Sequence, residues 1–272
     1  MSDFSACFLL VFGQLAVGGF IALAVPPFSV LERGFYKSSA AVFLACAVLY
    51  LSGRIALAVR AGTLTTGVAA EIAVWAAFAV AAAGYLASLW GAAGRRRARA
   101  FSVTLLLGLI ALSVSATGYR VGPLMSPATV LYPLAFLTGA LALGAVATGM
   151  LLGHWYLIDL GLSIEPMRRL FRYFVIVLVV QIAVLGVTIL TMALAPSGSG
   201  AVTSLWHDHG VLLAARFLLG PLAALGLGYM IHRTLQIPQT MAATGLFYIA
   251  ILFVMVGEIL GRLILFRTSL PL

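Results

Sequence analysis

Eight long apolar runs dominate the chain, and short stretches rich in charge or in glycine, proline and serine separate them. The runs fall at roughly 4–28, 38–59, 68–90, 101–119, 128–155, 174–195, 211–231 and 241–266. An α-helix rises about 1.5 Å per residue, and about 20 apolar residues cross the hydrocarbon core of a bilayer. Each run is therefore predicted to be one transmembrane helix. Connections such as Gly94-Arg95-Arg96-Arg97-Ala98-Arg99 and Pro196-Ser197-Gly198-Ser199-Gly200 are too short to fold independently. The predicted fold is an all-α integral membrane protein of eight transmembrane helices, a single polytopic domain over residues 1–272.

Charge then orients the predicted bundle. Arg33, Lys37, Arg95, Arg96, Arg97, Arg99, Arg168, Arg169, Arg172 and Arg233 all fall in alternate connections, and basic connections stay on the cytoplasmic side. The other side keeps only Arg60, Arg120 and Arg267 outside the spans. An even number of spans then places the N-terminus and C-terminus together on the outer, periplasmic side. With 63% hydrophobic and 8% charged residues, against about a quarter charged in soluble domains, no water-soluble domain is expected. The net charge of +9 sits mostly between apolar runs, where it sets topology rather than binding nucleic acid. No basic region precedes the first run, so no cleaved signal peptide is expected. Cys7 and Cys46 lie in apolar runs without CxxC or Cys/His spacing, which argues against a disulfide framework, a zinc site or an iron–sulfur cluster in this chain.

Five ionisable residues remain inside the spans: Arg54, Glu71, Arg216, Glu258 and Arg262. Charges at such depth cost a few kcal/mol or more and usually mark sites or pathways. Counting along each span from the oriented ends places all five in the outer half of the membrane. Two readings follow. They form structural ion pairs, with Glu258 and Arg262 joined at i,i+4, or they line a polar pocket that hydrogen-bonds a ligand carrying two oxygens. His154 and His232 fall at inner ends and His207 and His209 in an outer loop, so no facing pair can hold a membrane b-type haem. His207-Asp208-His209 is a candidate outer-loop proton or docking site. Gly153-His154-Trp155-Tyr156 reads as an interfacial aromatic belt, and Arg168, Arg169 and Arg172 as an inner-face anchor on anionic lipid. No metal site, Walker loop, GxSxG or HExxH pattern is present.

The opening Leu10-Val11-Phe12-Gly13-Gln14-Leu15-Ala16-Val17-Gly18-Gly19-Phe20 and the closing Gly257-Glu258-Ile259-Leu260-Gly261-Arg262 resemble the membrane anchor subunit of dimethyl sulfoxide reductase, within the broader NrfD-like group. Asp208-His209-Gly210 followed by Arg216, and Tyr132-Pro133-Leu134-Ala135-Phe136, extend the likeness across most of the chain. The resemblance implies an eight-helix anchor in the bacterial cytoplasmic (inner) membrane with both termini outside. It implies an iron–sulfur (ferredoxin-like) partner with four clusters and, through it, a molybdopterin catalytic subunit. It also implies a quinone, menaquinone or ubiquinone, with no haem or iron–sulfur cluster in the anchor itself. The family's quinol-site glutamate falls on Glu71, while Tyr50 stands where the family has histidine. Tyrosine can hydrogen-bond a quinol oxygen, but with a pKa of about 10 it is not a readily cycled base. The loop before Glu71 is also shorter than in the family.

The expected function is a quinone-interacting membrane anchor of an anaerobic respiratory complex, with Glu71 as proton acceptor. Tyr50, Arg54, Arg216, Glu258 and Arg262 complete the expected quinone pocket, drawn from spans two, three, seven and eight. The alternatives are a purely structural anchor of another electron-transfer complex, which the Tyr50 departure favours, and a small transporter.

Overall fold

The computed structural model describes residues 2–62, 64–120, 127–159, 161–194, 198–237 and 239–272. The helices, in chain order, are α1 (Ser2–Ala22), α2 (Arg33–Ala61), α3 (Thr66–Ser88), α4 (Gly94–Gly118), α5 (Ala128–Trp155), α6 (Glu165–Ala193), α7 (Gly198–Phe217), α8 (Ala223–Gln236) and α9 (Thr240–Thr268). A π-helical turn, Leu218–Leu222, joins α7 to α8. These segments provide eight helical spans long and apolar enough to cross a membrane, α7 and α8 acting as one. Among the described residues there is no β-strand.

Local chemistry sets the helix ends. Pro26 and Pro27 follow the end of α1, where a missing N–H and a fixed φ stop helical propagation. Gly62 closes α2 with φ 61°, its N–H bonded to the Val59 carbonyl, a left-handed cap that glycine adopts without a Cβ clash. Thr65 caps α3, its hydroxyl accepting from the Val68 N–H at 3.4 Å. Several helices begin earlier than the apolar runs suggest. α2 starts at Arg33, α4 at Gly94 and α6 at Glu165, so the basic clusters form first helical turns rather than loops. Hydropathy marks where lipid contact starts, whereas the backbone hydrogen-bond ladder continues into the polar interface.

The two ends of the bundle differ. At one end, Arg33 donates to the Gly91 carbonyl at 3.2 Å, Lys37 lies 4.4 Å from the Trp90 ring, and Arg168 donates to the Leu235 carbonyl at 3.2 Å. The predicted cytoplasmic basic residues thus gather there. At the other end, the start of α5 meets the end of α9 through the Tyr132 hydroxyl and the Ser269 carbonyl. Beyond Ser269 the chain folds back, and Leu272 packs with Leu185, Leu213 and Ile264.

α1 and α5 form the centre. A Cβ on Gly18 would collide with the backbone of Ala140, and one on Gly144 with the backbone of Gly18. Small residues let two backbones approach where no hydrophobic effect drives helices together in lipid. Phe20, Phe43, Phe78, Phe136 and Phe247 fill the surrounding core.

Candidate functional site

Two buried polar clusters sit on either side of α1. The first is built on Glu71, near the start of α3. Its Oε1 accepts from the Tyr50 hydroxyl of α2 and the Ser115 hydroxyl of α4, each at 2.6 Å. Its Oε2 accepts from Arg54 Nε at 3.0 Å and Nη2 at 2.8 Å. Ser115 in turn accepts from Trp75 Nε1 at 2.9 Å, and the Tyr50 and Trp75 rings pack with centroids 4.1 Å apart. Four donors converge on one carboxylate, an arrangement that an acceptor-only ionised group satisfies completely. Tyr50 and Arg54 share a face of α2 because four residues advance a helix by just over one turn. Glu71 is nearly enclosed, but the Arg54 side chain is 23% exposed, so the cluster reaches the margin of the bundle.

The second cluster is built on Glu258 of α9, which is fully buried. Its Oε1 accepts from Arg216 Nη2 at 2.8 Å and Gln181 Nε2 at 2.7 Å, and its Oε2 from Arg262 Nη2 at 3.1 Å and Gln14 Nε2 at 3.3 Å. Gln14 also donates to the Phe136 carbonyl at 2.9 Å and accepts from Arg262 Nε at 3.1 Å. The Arg262 guanidinium lies 4.0 Å from the Phe136 ring centre, a cation–π contact strengthened by the absence of water. α1, α5, α6, α7 and α9 thus meet at one side chain. Close backbone approach permits it: a Cβ on Gly139 would strike the Glu258 carboxylate, and one on Gly257 would come within 2.6 Å of the Gly220 Cα. Gly220 lies in the π-turn with Pro221. Proline cannot donate to the preceding turn, and a widened turn accommodates its ring. Arg216 stands one turn before it and reaches α9.

Consecutive residues of α1 separate the clusters. A Cβ on Gly13 would come within 2.9 Å of Trp75 and 3.0 Å of Tyr50, while Gln14 contacts Glu258. Neighbouring helical positions differ by about 1.5 Å in height and point about 100° apart, so the clusters occupy one level on two faces of α1. Tyr119 lies within electrostatic reach of Arg54, Glu71 and Arg262.

The expected pocket of spans two, three, seven and eight therefore divides. Tyr50, Arg54 and Glu71 come together, as do Arg216, Glu258 and Arg262, but among the described residues no hydrogen bond or ion pair joins the two sets. The i,i+4 pairing of Glu258 with Arg262 is present at 3.1 Å. Sequence reasoning missed Ser115, Trp75, Gln14 and Gln181. An amide in an apolar run is itself a signal, since it must find partners away from water; Gln14 and Gln181 both carried it.

His207, Asp208 and His209 are not in a loop, as the sequence suggested. They lie within α7, which begins at Gly198 and kinks at His209 with φ −132°. His207 and Asp208 are exposed, with Nδ1 and Oδ1 3.3 Å apart, and the three residues line a surface groove of about 420 Å³ with Trp206. Among the described residues no group of three or more metal-ligating side chains forms. No protein-family model matches the chain, and no curated protein matches it.

Proposed function

We propose that this chain is the membrane anchor and quinone-interacting subunit of a multisubunit respiratory oxidoreductase, of the kind that the dimethyl sulfoxide reductase anchor exemplifies. The observation that carries the reading is the Glu71 cluster: a carboxylate on a spanning helix, ringed by Tyr50, Ser115 and Arg54, with the Arg54 side chain open at the bundle margin. A quinone oxygen approaching there meets the Arg54 guanidinium as donor, with Glu71 as proton acceptor once the Tyr50 hydroxyl turns from the carboxylate to the quinone. Positioned acid–base groups of this type contribute roughly 10²–10⁴-fold to a proton-coupled step. In this reading Arg216, Glu258 and Arg262 supply a rigid wall on the far side of α1, since both guanidinium groups are bonded to the Glu258 carboxylate. The iron–sulfur partner docks on the face carrying His207 and Asp208, and the membrane is the bacterial cytoplasmic one.

Glu71→Gln keeps the size and loses the proton acceptor. The expected result is quinol-linked turnover reduced about a hundredfold or more in a complex that still assembles; unchanged turnover with native quinol removes Glu71 from the mechanism. A second reading, a purely structural anchor, is favoured by the saturation of both carboxylates, each already holding four donors. Purification of the native complex separates the two. Retained quinone and an iron–sulfur partner support the first, and full activity with no bound quinone supports the second.

A further inference from the structure

The basic end of the bundle holds a cavity that the proposed redox role does not use. About 370 Å³ in volume, it opens between the α1–α2 connection and the first turns of α4, and Tyr36, Tyr85, Pro27, Phe28, Arg97 and Phe101 shape it. That volume lies within the range of ligand pockets, about 300–1,000 Å³. Tyr36 already donates to the Pro26 carbonyl at 2.9 Å. Arg97 is different. Its guanidinium carbon sits 4.3 Å from the Phe28 ring centre, yet its Nη1 is buried without a hydrogen-bond partner. A buried, unsatisfied donor is destabilising, and more so when it carries charge.

The charge around it sharpens the point. α6 also begins with arginines, but it carries its own acid, and Glu165 pairs with Arg169 at 3.3 Å and Arg172 at 2.9 Å. α4 begins Gly94-Arg95-Arg96-Arg97-Ala98-Arg99 with no acidic residue in its first turn. Arginines there oppose the helix dipole, whose N-terminus is already positive. An anion in the cavity would meet the Arg97 guanidinium and lie beside Gly94, at the positive N-terminal end of α4. The cavity also spans the change from the basic first turn to Phe101, where α4 becomes apolar. A ligand with an anionic head and a greasy tail matches that gradient better than a free ion.

We propose that this cavity binds the phosphate headgroup of an anionic phospholipid, with Arg97 as its main ligand and Phe28 and Phe101 against its glycerol and upper acyl region. Basic pockets between spanning helices take such headgroups. The test uses the full chain in detergent, with native mass spectrometry of retained lipid and thermal unfolding after adding phosphatidylglycerol, phosphatidylcholine or inorganic phosphate. Phosphatidylglycerol should be retained about tenfold better than phosphatidylcholine, the effect of one charge-assisted contact. Arg97→Gln should abolish that preference, while Arg99→Gln, with the same loss of charge, should keep it. Equal retention of both lipids by the wild type overturns the proposal whether or not either variant folds. So does equal loss in both variants, which would mark general attraction to the basic end. Stabilisation by inorganic phosphate matching that by the lipid would also overturn it, by assigning the site to a free anion.

Discussion

Gln14 and Glu258 meet at 3.3 Å although 244 positions separate them in the chain. The contact ties the first span to the last and places Gln14 between two groups, donating to Glu258 and accepting from Arg262. Its neighbour Gly13 meanwhile makes room for Tyr50 and Trp75. α1 thus sets the height of both polar clusters.

Glu258→Gln should leave two buried guanidinium groups facing a neutral amide. Removing one partner of a buried ion pair costs about 3–5 kcal/mol, so thermal unfolding in detergent should shift strongly downward. Gln181→Leu, which deletes one hydrogen bond to the same carboxylate, should cost less, about 1.5–3 kcal/mol. The reverse order would show that Glu258 is not the hub of this cluster.

Gly18→Ala should disrupt the contact of α1 with α5, because the new methyl meets the Ala140 backbone, which cannot move aside as a side chain can. Overpacking of this kind costs about 1–3 kcal/mol. Gly84→Ala adds the same methyl into open space and should leave the unfolding temperature unchanged or slightly raised.

Tyr50→Phe keeps the ring against Trp75 and removes only the hydroxyl. Ser115 and Arg54 still hold Glu71, so folding should persist; the proposed quinone role predicts that quinol-linked turnover falls about tenfold, as for one lost hydrogen bond to a charged group. Turnover equal to wild type in a well-folded variant would confine Tyr50 to packing.

Fusion of alkaline phosphatase after Leu272 should give an active enzyme, and fusion within the connection before α4 an inactive one. The expectation follows from the arginines gathered at the opposite end of the bundle from Ser269 and from the general rule that basic connections stay on the cytoplasmic side. Activity of the second fusion would invert the orientation and, with it, the side on which a partner docks.

His207→Ala combined with Asp208→Ala should leave thermal stability unaltered, since these side chains are 87% and 64% exposed. Loss of the proposed iron–sulfur partner on copurification would identify the groove as the docking face. Full retention would assign docking elsewhere.

Sequence alone determined the number of spans and the separation of a strongly basic end from one with few charges, because both follow from quantities that add along the chain: apolar length against bilayer thickness, and charge between the runs. It also singled out the charged residues of the two clusters, since a carboxylate or guanidinium inside a span demands a partner whatever the fold. Only the tertiary structure decided the pairing. Arg54 chose Glu71 and Arg216 chose Glu258 because of which helices touch, and that depends on where glycines at 18, 139, 144, 220 and 257 let backbones close up. Ser115, Gln14 and Gln181 became part of the clusters only once α4, α1 and α6 were packed, because a neutral polar side chain has a role fixed by its neighbours, whereas a charge announces its need for them by itself.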